Sequence, residues 1–135
     1  MENRGILLIG HGSRREDYRK FVEDTAEILQ NNHPECTIRT CYLEHMSPAI
    51  PEGLELLKKE NPDVIIAVPL FLSKGVHIME TIPHLLGLKE GSHSGMVTLA
   101  SGKNIPLLYA NPIGADPLLA DLLFRNAEQA QKEYK

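Results

Sequence analysis

The stretch Gly5-Ile-Leu-Leu-Ile-Gly-His-Gly-Ser-Arg14 constrains this chain more than any other. A short apolar run reads as a buried strand and stops at Gly10. A histidine follows between two glycines, and then a polar run opens a helix. Gly10 and Gly12 let the backbone turn sharply and leave no side chains beside His11. Ser13 with Glu16 three residues later forms a capping-box pattern, which predicts a helix N-terminus just after the histidine. In an open α/β sheet, ligands bind beyond the carboxyl ends of the strands. His11 therefore stands where chemistry is expected.

At 135 residues the chain makes one domain, with a real core and no room for a second. No apolar run approaches the roughly 20 residues needed to span a bilayer. Met1-Glu-Asn-Arg4 leads straight into the first strand, which leaves no room for a signal peptide. Both features predict a cytoplasmic protein with no membrane partner. The formal net charge of −4 argues against a general nucleic-acid binder, which would carry a basic face. An anionic ligand would have to be held by local groups. Cys36 and Cys41 lie five apart in one predicted strand, hence on opposite faces, and are read as unpaired.

Tyr18, Phe21, Val22, Thr25, Ile28 and Leu29 recur at three- and four-residue steps and predict a helix over 14–32. His33-Pro34 ends it. The second strand is 37–43, and Glu44-His45-Met46 leaves it at its carboxyl end. A second helix begins at Ser47-Pro48 or at Ile50-Pro51, with Ile50, Leu54 and Leu57 inward. The third strand, 63–70, is apolar nearly throughout, the pattern of a parallel strand covered on both faces. Thr81 is read as capping a short helix, with Pro83 in its first turn and Gly87 past its end. Residues 89–104 read as a surface excursion with room for a small hairpin. The fourth strand is 105–109. Asp116 and Pro117 then start a last helix whose Leu118, Leu119, Leu122 and Leu123 are expected to pack inward. Alternating strands and helices predict a three-layer α/β domain: a mostly parallel four-stranded sheet, order 2-1-3-4, flanked by helices.

Three strand ends deliver polar groups to one edge of that sheet: His11, then Glu44 and His45, then His77. Two imidazoles and a carboxylate suit a borderline divalent metal such as Co²⁺, Ni²⁺, Fe²⁺ or Zn²⁺. His45 is the weaker competitor to Glu44, since adjacent residues point apart as a strand ends. Glu80, three residues after His77, would share its face on a helical turn and could orient the imidazole. His33, His84 and His93 are read as surface residues, and Lys74, Arg14 and Arg15 taken singly as ordinary surface charges.

Gly10-His-Gly-Ser-Arg14, Tyr42-Leu-Glu44 followed by Pro48, Val68-Pro-Leu-Phe-Leu-Ser73, and Gly75-Val-His77 with Glu80 and Ile82-Pro83 together carry a family signature. In these motifs, in this order and spacing, the chain resembles the small CbiX-type chelatases, the archaeal sirohydrochlorin cobaltochelatases that also insert nickel. The resemblance runs from the first strand through the third helix and extends, less specifically, to Pro112-Ile-Gly114 and the last helix. It implies a chelatase fold, insertion of Co²⁺, Ni²⁺ or Fe²⁺ into the tetrapyrrole sirohydrochlorin, no organic cofactor, and a homodimer of half-size chains. It implies that His11 is proton acceptor and metal ligand, that His77 is the second ligand, and that Glu44 matches a carboxylate some members place at the metal. It sets Leu72, Ser73, Lys74, Gly75 and Val76 against the macrocycle, with Met46 or Ser47 facing them.

That chemistry suits these residue types. Metal insertion removes two pyrrole protons and strips water from an ion, and an imidazole titrating near neutral pH can serve either need. The substrate is a polycarboxylate, for which helix N-termini after His11 and near Ser47, with Lys74, are natural contacts. The alternative is a non-catalytic α/β module binding phosphate, a nucleotide or a metal. Gly10-x-Gly12 permits it, but no third glycine completes a G-x-G-x-x-G fingerprint and no GK[ST] follows. A histidine phosphotransferase would place arginine directly before the histidine, where this chain has Gly10.

Overall fold

The computed structural model describes residues 2–134. Strand β1 (Arg4–Gly10) leads through the His11 turn into helix α1 (Glu16–Asn32), followed by β2 (Thr37–Tyr42), α2 (Ile50–Lys58) and β3 (Val64–Pro69). A π-helical turn, His77–Thr81, runs directly into the short helix α3 (Ile82–Leu85). A hairpin of β4 (Ser94–Thr98) and β5 (Asn104–Tyr109) precedes the last helix, α4 (Pro117–Glu133). The sheet is mixed α/β in order β2-β1-β3-β5-β4, parallel except at β4. It has five strands rather than the expected four. The extra one is the edge strand supplied by the 89–104 excursion, where Met96 pairs with Pro106 in an antiparallel register. The parallel order of the other four is as expected.

The two faces are covered unequally. Leu7, Ile9, Cys41, Ile65, Ala67, Ile105 and Leu107 project to one side and bury against Ile50, Leu54 and Leu57 of α2 and Ile82 of α3. At Gly53 a methyl group would come within 2.6 Å of the Cys41 Cβ, so the α2 backbone lies as near β2 as glycine allows. The other side holds a smaller cluster, Leu8, Tyr42 and Val22 of α1, with Tyr18, Ala26 and Met46 against it. Cys36 and Cys41 are both free and buried, and Cys41 sits on the α2 face opposite Tyr42. Burial pushes the Cys41 thiol up to about 12, which leaves it an inert core group.

Four local expectations need correction. The capping box at Ser13 does not form. Its hydroxyl accepts the Arg15 N–H at 3.0 Å, and α1 starts at Glu16 behind an uncapped Arg15. Serine competes for backbone this way whenever a turn two residues on is within reach. Along α1 the buried stripe is narrower than the periodicity suggested, since Phe21 and Ile28 are exposed. Thr81 does not cap a helix. Its backbone is already helical, and the helix begins four residues earlier at His77. Finally, α4 starts as expected, with the Asp116 carboxylate accepting the Leu118 N–H at 2.9 Å, but its leucines do not pack inward. Leu118 is 74% exposed and Leu123 62%, and no residue of α4 is buried. The sheet face over β5 is bare to match, with Pro106 and Leu108 exposed. Among the described residues no helix is long and apolar enough to cross a membrane.

Candidate active site

Adjacent parallel strands end side by side, and backbone bonding continues past their ends. Leu70 donates to the Ile9 carbonyl, Leu43 to Gly10 and Glu44 to His11, the last at 3.1 Å. The loops after β1 and β2 are therefore laced together. Gly12, at φ +99°, is where they touch. A side chain there would meet the Glu44 backbone, its Cβ 2.9 Å from the carbonyl carbon and nearer still to the oxygen. Only glycine fits. On the other side the His11 N–H donates to the Tyr18 hydroxyl at 2.9 Å, which ties the strand end to α1.

His11 Nδ1 lies 3.3 Å from the Gly12 carbonyl, which favours a proton on that nitrogen and leaves Nε2 its lone pair. Nε2 stands 3.6 Å from Glu44 Oε1. The His77 and His11 rings meet in an edge arrangement, with centroids 5.4 Å apart, and the Phe71 ring lies 5.7 Å from that of His11. His77 Nδ1 is 3.3 Å from Thr81 Oγ1, so its Nε2 is the open nitrogen. The structure thus brings together His11, Glu44 and His77 from three loops, as the sequence predicted. Both His11 and Glu44 are a little under half exposed at their side chains, so they form an open rim. Among the described residues no three of His, Cys, Asp and Glu are disposed as a complete metal-binding group. What the geometry offers is a histidine–carboxylate pair with a second imidazole beside it, residue types that accept protons near neutral pH and suit borderline divalent ions.

The remaining predicted residues divide. Leu72, Ser73, Lys74, Gly75 and Val76 form an exposed loop between β3 and the π turn, with the apolar Leu72 and Val76 facing solvent. Ser47 is exposed and its carbonyl accepts from Arg19 at 2.9 Å, but the Met46 side chain packs into the cluster of Leu8 and Tyr42. Glu80 does not orient His77. A π turn carries more residues than an α turn, so the residue brought beneath His77 is Thr81, four on, rather than Glu80, three on. Glu80 instead lines a neighbouring groove of about 300 Å³ with Met79, Pro83, His84, Leu88 and Glu90. Sequence reasoning missed three residues that position the site. Tyr18 appeared only as part of an apolar stripe, Thr81 only as a cap, and Phe71 only as one residue of a signature motif. His45, set aside on direction, has its Nε2 3.8 Å from Glu44 Oε1, because its backbone adopts φ +66°.

A family model described as CbiX matches residues 5–130. The chain is 40% identical over 130 residues to a protein of Methanosarcina barkeri named sirohydrochlorin cobaltochelatase, covering 96% of this chain and 98% of that one. A protein of the same name from Sulfolobus acidocaldarius is 31% identical, covering 93% and 91%. Among solved structures, the sirohydrochlorin chelatase SirB of Bacillus subtilis subspecies spizizenii, in complex with cobalt, superposes with a TM-score of 0.78 at 24% identity. It matches 94% of this chain but only 50% of its own. A putative cobalamin biosynthesis CbiX protein from Marinobacter aquaeolei superposes at 0.65 with 20% identity over 97% and 99% of the two chains. With the three predicted strand ends brought to one rim and a family model spanning nearly all of the described residues, the chain belongs to the CbiX family.

Proposed function

We propose that this chain inserts a divalent metal, Co²⁺ or Ni²⁺, into sirohydrochlorin, as a step toward cobalamin or a nickel-tetrapyrrole coenzyme. The observation that carries the reading is the meeting of His11, Glu44 and His77 on one open rim beside an exposed apolar loop. Relatives that cover nearly all of the chain bear the name of the cobalt-inserting enzyme, which supports cobalt over a general binding role. The metal is substrate, and the chemistry calls for no organic cofactor.

In the mechanism, the macrocycle lies across the 72–76 loop, against Leu72 and Val76. His11 takes a pyrrole proton at Nε2, the nitrogen the Gly12 carbonyl leaves free. As the N–H bond breaks, its electron pair becomes the nitrogen lone pair that binds the ion. The Glu44 carboxylate beside that nitrogen stabilises the imidazolium formed and offers the ion an oxygen. His77 holds the ion from the opposite side while its water is shed. A second pyrrole proton leaves in the same way after the first has passed to solvent. Lys74 and the start of α1 offer positive potential to the carboxylate arms of the substrate. The reaction is set in the cytoplasm, where Cys36 and Cys41 stay reduced.

We further propose that the working form is a homodimer. The support is the bare apolar side of α4, whose Leu118, Leu122 and Leu123 find no cover in their own chain. A second copy fits because a solved relative carries a chain of which this one spans half.

The test is spectroscopic. Purified protein with sirohydrochlorin and Co²⁺ or Ni²⁺ should accelerate the absorbance change of metal insertion, and His11→Ala and His77→Ala should each remove most of the acceleration while remaining folded. Rates equal to the spontaneous reaction for every divalent ion tried would refute the assignment.

A further inference from the structure

The π turn that carries His77 has a missing rung. The Ile82 N–H bonds the His77 carbonyl, five residues back. The next bond in that register would run from residue 83 to the Ile78 carbonyl, but residue 83 is proline and has no N–H. Ile78 is buried, at 4% exposure, so its carbonyl has no water to turn to. The Tyr109 hydroxyl fills the gap, donating to the Ile78 oxygen at 2.9 Å across a sequence separation of 31 residues.

Tyr109 is itself firmly held. It ends β5, pairs with Ala67 of β3, and is bonded at both backbone groups to His93: its N–H to the His93 carbonyl and its carbonyl to His93 Nδ1, each at 2.9 Å. The two rings stack at 5.5 Å. The sheet thus reaches across to fix one carbonyl, next in sequence to the histidine that faces His11.

We propose that Tyr109 is a positioning residue that sets the register of the π turn and thereby the place of His77. Two registers compete for the Ile82 N–H. In the α register it would bond Ile78, four back, and in the π register it bonds His77, five back. The Tyr109 hydroxyl occupies the Ile78 oxygen and so favours the π register. Without it, the buried Ile78 carbonyl draws the Ile82 N–H to itself. The turn then loses its extra residue, and His77 rotates about the helix axis toward the next position, a step of about 100° per residue. The inference rests on the reading of His77 as a metal-holding residue, but its structural half can be tested without that reading.

The experiment compares wild type, Tyr109→Phe and Tyr109→Phe/Pro83→Ala. The ¹⁵N–¹³C′ coupling across the hydrogen bond reports which carbonyl the Ile82 N–H contacts, whatever the protein catalyses. In wild type the coupling partner should be His77, and in Tyr109→Phe it should be Ile78. Restoring an N–H at position 83 should return the coupling to His77. In metal insertion, Tyr109→Phe should lower kcat/KM for Co²⁺ at least about a hundredfold, since a rotation of that size moves His77 by more than the roughly 1 Å that already costs as much. The KM for sirohydrochlorin should hold, and the double variant should recover. A Tyr109→Phe protein whose coupling stays at His77 overturns the proposal, as does one whose coupling moves with no change in Co²⁺ dependence. If wild type inserts no metal at all, the functional reading falls, and the coupling alone decides the register.

Discussion

Replacing Gly12 by alanine tests how tightly the loops after β1 and β2 are laced. The added methyl would point into the Glu44 backbone, 2.9 Å from its carbonyl carbon, where ordinary contact begins near 3.4 Å, and closer to the oxygen. That oxygen belongs to the residue whose N–H bonds the His11 carbonyl, so relief requires the loops after β1 and β2 to part. The positive φ adds strain of order 1–3 kcal/mol for a residue with a Cβ. Together these predict a loss of about 2–4 kcal/mol, within the usual range for strain combined with overpacking. The parting also shifts Glu44 against His11 by something near 1 Å, which predicts a fall in kcat of about a hundredfold. Gly75 supplies the control inside the same signature: a methyl there meets nothing within 4 Å, so Gly75→Ala should leave stability unchanged. Urea denaturation gives the stability and the absorbance change of insertion gives the rate. A Gly12→Ala protein within about 0.5 kcal/mol of wild type, or one as active, would refute the reasoning.

Other consequences can be measured separately. Charging the exposed side of α4, as Leu118→Glu with Leu122→Glu, should convert a dimer to a monomer in sedimentation without changing helix content; a monomeric wild type would refute the dimer. Alkaline pH should destabilise the fold through Cys41 and Tyr109, both held protonated to about 12 by burial, above their ordinary 9.0 and 10.0. An unfolded chain releases these protons first, so stability is intact below pH 9 and falls as pH rises from there toward 12, by up to about 1.4 kcal/mol per unit through Cys41, with Tyr109 adding a smaller fall only above pH 10. Cys41→Ala should flatten that fall, and denaturation midpoints between pH 8 and 11 would reveal an unaltered slope if the reasoning fails.

The sequence made some parts of the fold plain because local and global cues agreed. The apolar run before Gly10, the continuous 63–70 strand, and Pro51 and Pro117 in first turns each carry their own explanation. So did the meeting of His11, Glu44 and His77, which follows from parallel strands ending on one side. What stayed hidden depends on contacts between distant residues. The π turn cannot be read from periodicity, since it exists because Tyr109 meets Ile78 across 31 positions. Glu80 was misassigned for the same reason, because a spacing of three implies a shared face only on an α turn. The leucines of α4 have helical spacing whether they meet their own sheet or another molecule. Periodicity reports that a face wants cover, not who supplies it.

The lacing of β1 to β2 has a mechanical consequence. Because the backbone ladder runs on through Leu43 and Glu44, His11 and Glu44 belong to the sheet itself and move as a single body with it. His77 stands beside them on a separate turn, whose Ile78 and Ile82 are buried in the core and whose Ile78 carbonyl is held by the Tyr109 hydroxyl. In the proposed reaction the ion would therefore meet two sides built from different elements, one continuous with the sheet and one carried by that separate turn.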